Sequence, residues 1–195
     1  MIKNFFSIIL ILFLISCSDN EYRLNPSNTP AVIPADSKML FPEYVEINRK
    51  NIRMALQPLY KNGKQPFGNL YSIDTAVNMR SPYQIVPNLA QCKKNKDNTV
   101  GFLLLHGLSD SPYVFADIKK HLINKYPCAV IRATLMPGHG TIPGDSLHVS
   151  YKDWIQVMEY GIQSFTGSVN KLYLVGFSTG STLALYHIIN DNNSV

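Results

Sequence analysis

The sequence predicts an α/β fold built on a mostly parallel sheet. Between residues 99 and 190, apolar runs of strand length alternate with stretches whose apolar residues recur every three or four positions. The connections between successive runs are long enough to cross over through a helix, which is the condition for parallel neighbours. Of 195 residues, 46% are hydrophobic and 16% charged, enough apolar content for one core and too little charge for a disordered chain.

The first strand covers residues 100–105, where Phe102, Leu103, Leu104 and Leu105 follow one another without polar alternation, as a strand buried on both faces requires. Ser111 and Pro112 then supply a helix cap and a first helical position. Val114, Phe115, Ile118, Leu122 and Tyr126 form one helical stripe, which Pro127 stops. A second strand is expected at 128–133, followed by a loop containing Pro137, Gly138, His139 and Gly140. Ser150 and Asp153 make a capping-box pattern ahead of a stripe of Trp154, Met158, Ile162 and Phe165. A third strand at 171–175 runs into Gly176-Phe177-Ser178-Thr179-Gly180. Beyond it Leu183, Ala184, Tyr186, His187 and Ile188 read as a buried helix.

Residues 39–98 carry no persistent period and are interrupted by Pro42, Pro58, Pro66, Pro82 and Pro87, so edge strands and loops are expected there. The formal charge of +5 comes from 18 Lys and Arg against 13 Asp and Glu, scattered along the chain. The one tight basic run, Lys93, Lys94 and Lys96, reads as a solvated loop, so nucleic acid is not an expected partner. Three cysteines exclude a disulfide-rich scaffold, and no ligand spacing suggests a metal.

The N-terminus predicts export. Lys3 precedes an apolar block at 5–15, which as a helix would span roughly 16 Å against a hydrocarbon core of about 30 Å, so it suits a secretory signal better than a membrane span. Leu14-Ile15-Ser16-Cys17 resembles the bacterial lipobox. That resemblance implies cleavage before Cys17, diacylglycerol on its thiol, and a lipid-anchored protein of the cell envelope; an ordinary signal peptide is the plain alternative. Ser18 after the cysteine implies outer-membrane sorting, facing the periplasm. The organisation expected is a signal peptide at 1–16, a lipidated tether at 17–38 spanning roughly 25 Å, and a partial α/β domain at 39–195. In an oxidising compartment Cys92 and Cys128 can pair; a buried free thiol at Cys128 is the alternative.

Residues 176–180 match G-x-S-x-G, and the motif sits where an apolar strand meets a small-residue helix. So tight a turn needs glycine on both flanks and lifts the Ser178 Oγ above the sheet at the positive end of a helix. A serine that merely caps the helix is the plain alternative. His106, Gly107 and Leu108 end the first strand upstream, where acyl-transfer chemistry needs backbone donors for a developing oxyanion. The donors expected are the amides of Leu108 and Thr179.

At these phrases, residues 103–112, 137–141, Trp154 and 174–180, the chain resembles the α/β-hydrolase superfamily and its bacterial carboxylesterase and monoacylglycerol-lipase-like group. The resemblance implies hydrolysis of a small ester or lipid through a Ser–His–Asp triad, with no metal or organic cofactor. Ser181 stands where a second glycine often follows. In the superfamily the acid and the histidine follow the nucleophile, so the chain is expected to be a truncated one, inactive or incomplete, with a bare edge on its last strand. None of His106, His121, His139, His148, His187 and Asp191 is assigned to the triad. Two rival readings are a catalytically dead envelope lipoprotein and a serine aminopeptidase-like hydrolase.

Overall fold

Strand residues that are apolar on both sides end up in the middle of the sheet, and this explains most of the architecture. The computed structural model describes residues 21–34, 38–63, 70–87, 92 and 99–190. The expected signal peptide and Cys17 lie outside the described residues, as does the basic run at 93–96. Helices α1 (Glu21–Leu24), α2 (Phe41–Lys61) and α3 (Ile73–Arg80) precede strand β1 (Tyr83–Ile85). Then come β2 (Val100–Leu105), α4 (Ala116–Lys125), β3 (Val130–Ala133), α5 (Tyr151–Gln163), β4 (Lys171–Gly176) and α6 (Thr179–Asn190).

The sheet order is β1-β3-β2-β4. β2 pairs in parallel with both β3 and β4, while β1 runs antiparallel on the outer edge of β3. The class predicted from sequence is thus the one observed: an α/β fold with a mostly parallel sheet flanked by helices. Pleating sends alternate side chains of β2 to opposite faces. Leu103 and Leu105 pack with Met158, Phe165 and Leu183 on the α5–α6 side. Phe102 and Leu104 pack with Phe115, Leu122 and Ile131 on the α4 side. The Arg132 side chain, projecting from β3, lies over the rings of Phe41 and Phe165 and donates from Nε to Gln84 Oε1 at 2.7 Å, which satisfies a largely buried cation.

Several expectations need correction. The segment read as aperiodic contains the longest helix among the described residues, α2, which buries Tyr44, Asn48, Ile52, Ala55, Leu56 and Leu59 on one face. Its prolines sit where a helix tolerates them or nearly so: Pro42 in the first turn and Pro58 close to the end. Ser111 does not cap a helix; Pro112–Phe115 is a 3₁₀ turn, and the Ser111 hydroxyl donates to the Met79 carbonyl at 3.1 Å. Residues 21–34, read as free tether, lie on the domain. Val32 N–H donates to the Asn48 side chain at 3.0 Å, Gln156 donates to the Pro34 carbonyl at 2.7 Å, and Ala31 is buried. Cys92 and Cys128 are joined in a disulfide across 36 residues, so the free-thiol alternative falls, and regular pairing of β3 begins only at Val130. The capping pattern at Ser150 is present in one sense: its backbone N–H and its hydroxyl both donate to Asp153 Oδ2, at 2.7 and 2.8 Å.

α6 is only half covered. Leu183 and Ala184 are buried, yet Leu185, Tyr186, Ile188 and Ile189 are exposed rather than core. Among the described residues β4 pairs with β2 alone. Among them, too, no helix is long and apolar enough to cross a membrane.

Candidate active site at the strand–helix elbow

The turn from β4 into α6 is held by hard sterics. A Cβ on Gly176 would lie 2.4 Å from the Ser181 backbone, and one on Gly180 would lie 1.9 Å from the Leu105 carbonyl oxygen. Backbone atoms cannot move aside as a flexible side chain would, so both positions exclude any side chain. Between them Ser178 takes φ 53°, a left-handed conformation that costs a non-glycine residue about 1–2 kcal/mol. The strain is offset by anchoring on either side: Phe177 N–H donates to the Leu105 carbonyl at 3.0 Å, and Gly180 N–H to the Phe177 carbonyl at 2.9 Å. Ser178 is exposed, and its hydroxyl makes no hydrogen bond among the described residues.

The loop after β2 comes up against this elbow. A Cβ on Gly107 would stand 3.1 Å from the Ser178 Cβ and 3.2 Å from the Phe177 carbonyl oxygen, so the bare backbone of Gly107 is what permits the approach. Leu108 follows with its side chain exposed, and Ser109 turns left-handed at φ 61°. Among the described residues neither the Leu108 amide nor the Thr179 amide donates a hydrogen bond. Thr179 opens α6, where the first amides of a helix have no intrahelical acceptor and carry partial positive charge. The three residues singled out from sequence, Ser178, Leu108 and Thr179, are therefore brought to one end of the sheet.

The histidines do other work. His106 is wholly buried. Its Nε2 accepts the Met136 N–H at 2.9 Å, which obliges Nδ1 to carry the proton it donates to the Gly107 carbonyl at 2.8 Å. Burial pushes its pKa down to about 3, helped by neighbouring His139 and opposed by the Gly107 carbonyl. His139 repeats the pattern: Nε2 accepts the Ser109 N–H and Nδ1 faces the Pro137 carbonyl, both at 3.0 Å. Burial lowers its pKa too, against the pull of the Pro137 and Met136 carbonyls and of Asp110. The two rings meet edge-on at 5.2 Å, and Trp154 approaches His139 edge-on while donating from Nε1 to the Pro137 carbonyl at 3.1 Å. His187 Nδ1 meets Glu159 Oε1 at 2.9 Å across α5 and α6. His121 lies exposed on α4 and His148 is exposed in a loop. Among the described residues no histidine bonds Ser178; Asp191 lies outside them.

Sequence reasoning kept His106 and His139 out of the triad, but it missed that they cross-tie two loops. The signal available was their shared setting, each beside a glycine at the end of a strand or in the following loop. Next to these loops lies a cavity of about 460 Å³, lined by Tyr60, Met79, Leu108, Tyr113, His139 and Trp154 among others. It is mainly aromatic and aliphatic, with the polar edge of the 108–111 loop on one side.

No family model matches the chain. Over 93 residues it is 29% identical to the thermostable monoacylglycerol lipase of Bacillus sp. (strain H-257), a stretch covering 47% of this chain and 36% of that lipase. Among solved structures, it is similar to a chain from work on LipS and LipT, two metagenome-derived lipolytic enzymes, at 19% identity and a TM-score of 0.46, over 55% of this chain and 39% of that one. The chain thus spans well under half the length of the relatives it matches.

Proposed function

We propose that the chain carries the nucleophile and oxyanion half of a serine ester hydrolase of carboxylesterase or acylglycerol-lipase type. One observation carries the reading: an exposed serine in left-handed backbone at a glycine-bounded elbow, beside two amides that find no acceptor among the described residues. The Ser178 Oγ attacks the ester carbonyl carbon and gives its proton to a base. The carbonyl oxygen becomes negative between the Leu108 and Thr179 amides, and each such donor contributes about 3 kcal/mol to the transition state. The alcohol leaves with a proton, forming an acyl-serine; water then attacks, releases the carboxylic acid and returns the proton to Oγ. In this reading no described residue is assigned as the base or as its acid partner. A lipid anchor at Cys17 holds the enzyme in the bacterial envelope, and the Cys92–Cys128 disulfide fits an oxidising compartment.

The test uses protein purified from its own gene. A fluorophosphonate probe labels Ser178, p-nitrophenyl esters are turned over, and Ser178→Ala abolishes both. Absence of labelling, or labelling that survives the substitution, overturns the proposal. A second reading, an envelope protein without catalysis, is favoured by the lack of any histidine bonded to Ser178 among the described residues; a folded, monodisperse protein inert to the probe would establish it.

A further inference from the structure

The loop from Gly107 to Asp110 has neither helix nor strand to hold it, and it includes a left-handed non-glycine residue. Its internal tie is weak, Asp110 N–H to the Gly107 carbonyl at 3.3 Å. Among the described residues one hydrogen bond joins the backbone of this loop to a distant element: Ser109 N–H to His139 Nε2 at 3.0 Å. His139 is itself held on three sides. Its Nδ1 meets the Pro137 carbonyl, the same carbonyl receives the Trp154 indole N–H, and the ring abuts His106, which locks the start of the Met136 loop. On the far side the Arg80 guanidinium donates to the carbonyls of Gly140 and Thr141, which closes the loop around the imidazole.

We infer that His139 is a positioning residue: its Nε2 lone pair clamps the Ser109 amide and so sets the direction of the adjacent Leu108 N–H toward Ser178. The claim rests on the hydrolase reading for its role in catalysis, but the clamp itself is a statement about the free protein. The ring must stay neutral with its proton on Nδ1, since a proton on Nε2 would face the Ser109 N–H donor head on. Displacing an oxyanion donor by about 1 Å is enough to slow a reaction roughly 100-fold.

Asparagine and glutamine separate the two halves of the clamp. A glutamine side chain reaches the Nε2 position and offers an acceptor to Ser109; asparagine stops at the Nδ1 position and can serve only Pro137. In purified full chain, His139→Asn is expected to speed hydrogen exchange at the Ser109 amide by about tenfold, the loss of one ordinary hydrogen bond. Exchange at core amides such as Ile131 stays unchanged. Labelling of Ser178 by the fluorophosphonate slows by roughly 10- to 100-fold. His139→Gln returns both readouts to within about threefold of wild type. Unchanged exchange at Ser109 or unchanged labelling in His139→Asn, or equal loss in both variants, overturns the clamp. Should either variant fold poorly, nitrogen NMR of the wild-type ring decides: the clamp requires a neutral His139 with its proton on Nδ1, and a proton on Nε2 overturns it. Wild-type protein that never labels at Ser178 defeats the hydrolase reading and the catalytic role with it, while exchange at Ser109 still decides the clamp.

Discussion

Acid should weaken this domain through His106 before it weakens it through most other groups. The imidazole is wholly buried, with its Nε2 lone pair committed to Met136 N–H, and its pKa falls from the ordinary 6.5 to about 3. As pH drops below 6.5 the unfolded chain takes up this proton and the folded one does not. The folded state is therefore penalised: stability is complete above about 6.5, declines through the window down to about 3, and is flat below it. The slope approaches about 1.4 kcal/mol per pH unit, so moving from pH 7 to pH 4.5 removes on the order of 2.5 kcal/mol. Urea unfolding followed by circular dichroism reads this as a midpoint lowered by about 1 M. Carboxylates titrate in the same range, so the discriminating comparison is His106→Gln, which keeps an acceptor for Met136 but cannot be protonated. That variant starts lower at pH 8 by about 1 kcal/mol, for the lost donor to Gly107, and falls less steeply with acid. Parallel slopes for the two proteins, or a wild-type His106 ring that titrates near 6 by NMR, would refute the reasoning.

Other expectations follow from single contacts. Tyr44→Phe leaves the N–H and the carbonyl of Leu135 unpaired in the core, since the hydroxyl accepts the first at 3.1 Å and donates to the second at 3.0 Å; urea unfolding should register a loss of about 2–4 kcal/mol, and a loss below about 1 contradicts the contact. Reducing Cys92–Cys128, which closes 36 residues, should destabilise by roughly 4 kcal/mol on chain-entropy grounds, measured as the difference in unfolding free energy with and without reductant. Gly144→Ala would put a Cβ 2.2 Å from the Asn25 carbonyl oxygen, so residues 21–34 should lift from the domain and be cleaved faster in limited proteolysis, with protection unchanged at β2.

What could be read in advance follows the period of the burial. β2 and β4 were legible because β2 is apolar on both faces and β4 ends in a motif whose glycines have a steric purpose. α5 was legible from its stripe and from Asp153 placed to receive Ser150. α2 was not, because its buried face includes Asn48, which pays no hydrophobic signal yet bonds Val32 N–H and the Tyr44 carbonyl, and Tyr44, which caps Leu135. Those are partnerships across the chain that no local pattern contains. α6 misled in the opposite direction: its apolar residues run around the helix, but only Leu183 and Ala184 find a neighbour, so periodicity suggested burial that the described residues do not supply. At the site, the elbow and its loop were readable as chemistry. The histidine cross-ties were not, since their meaning lies in which amide each Nε2 faces.

The site is organised by one strand end. The Leu105 carbonyl accepts the Phe177 N–H and also limits Gly180, so it fixes both ends of the elbow at once. His106, next in line, holds the Met136 loop that carries His139, and Gly107 then lies against Ser178. Three successive residues of β2 and its exit thus meet the nucleophile, its turn and the support of the donor loop. That economy depends on β2 being central, with β3 and β4 paired on its two sides and six residues in register along β4. A strained Ser178 persists while that pairing is intact, because the pairing seats the Leu105 carbonyl that holds Phe177 and the first turn of α6 whose amides hold the Ser178 carbonyl. Loosening β4 should therefore release the elbow before it unfolds the domain, and the left-handed turn, the free Thr179 amide and the reach to Leu108 should be lost together.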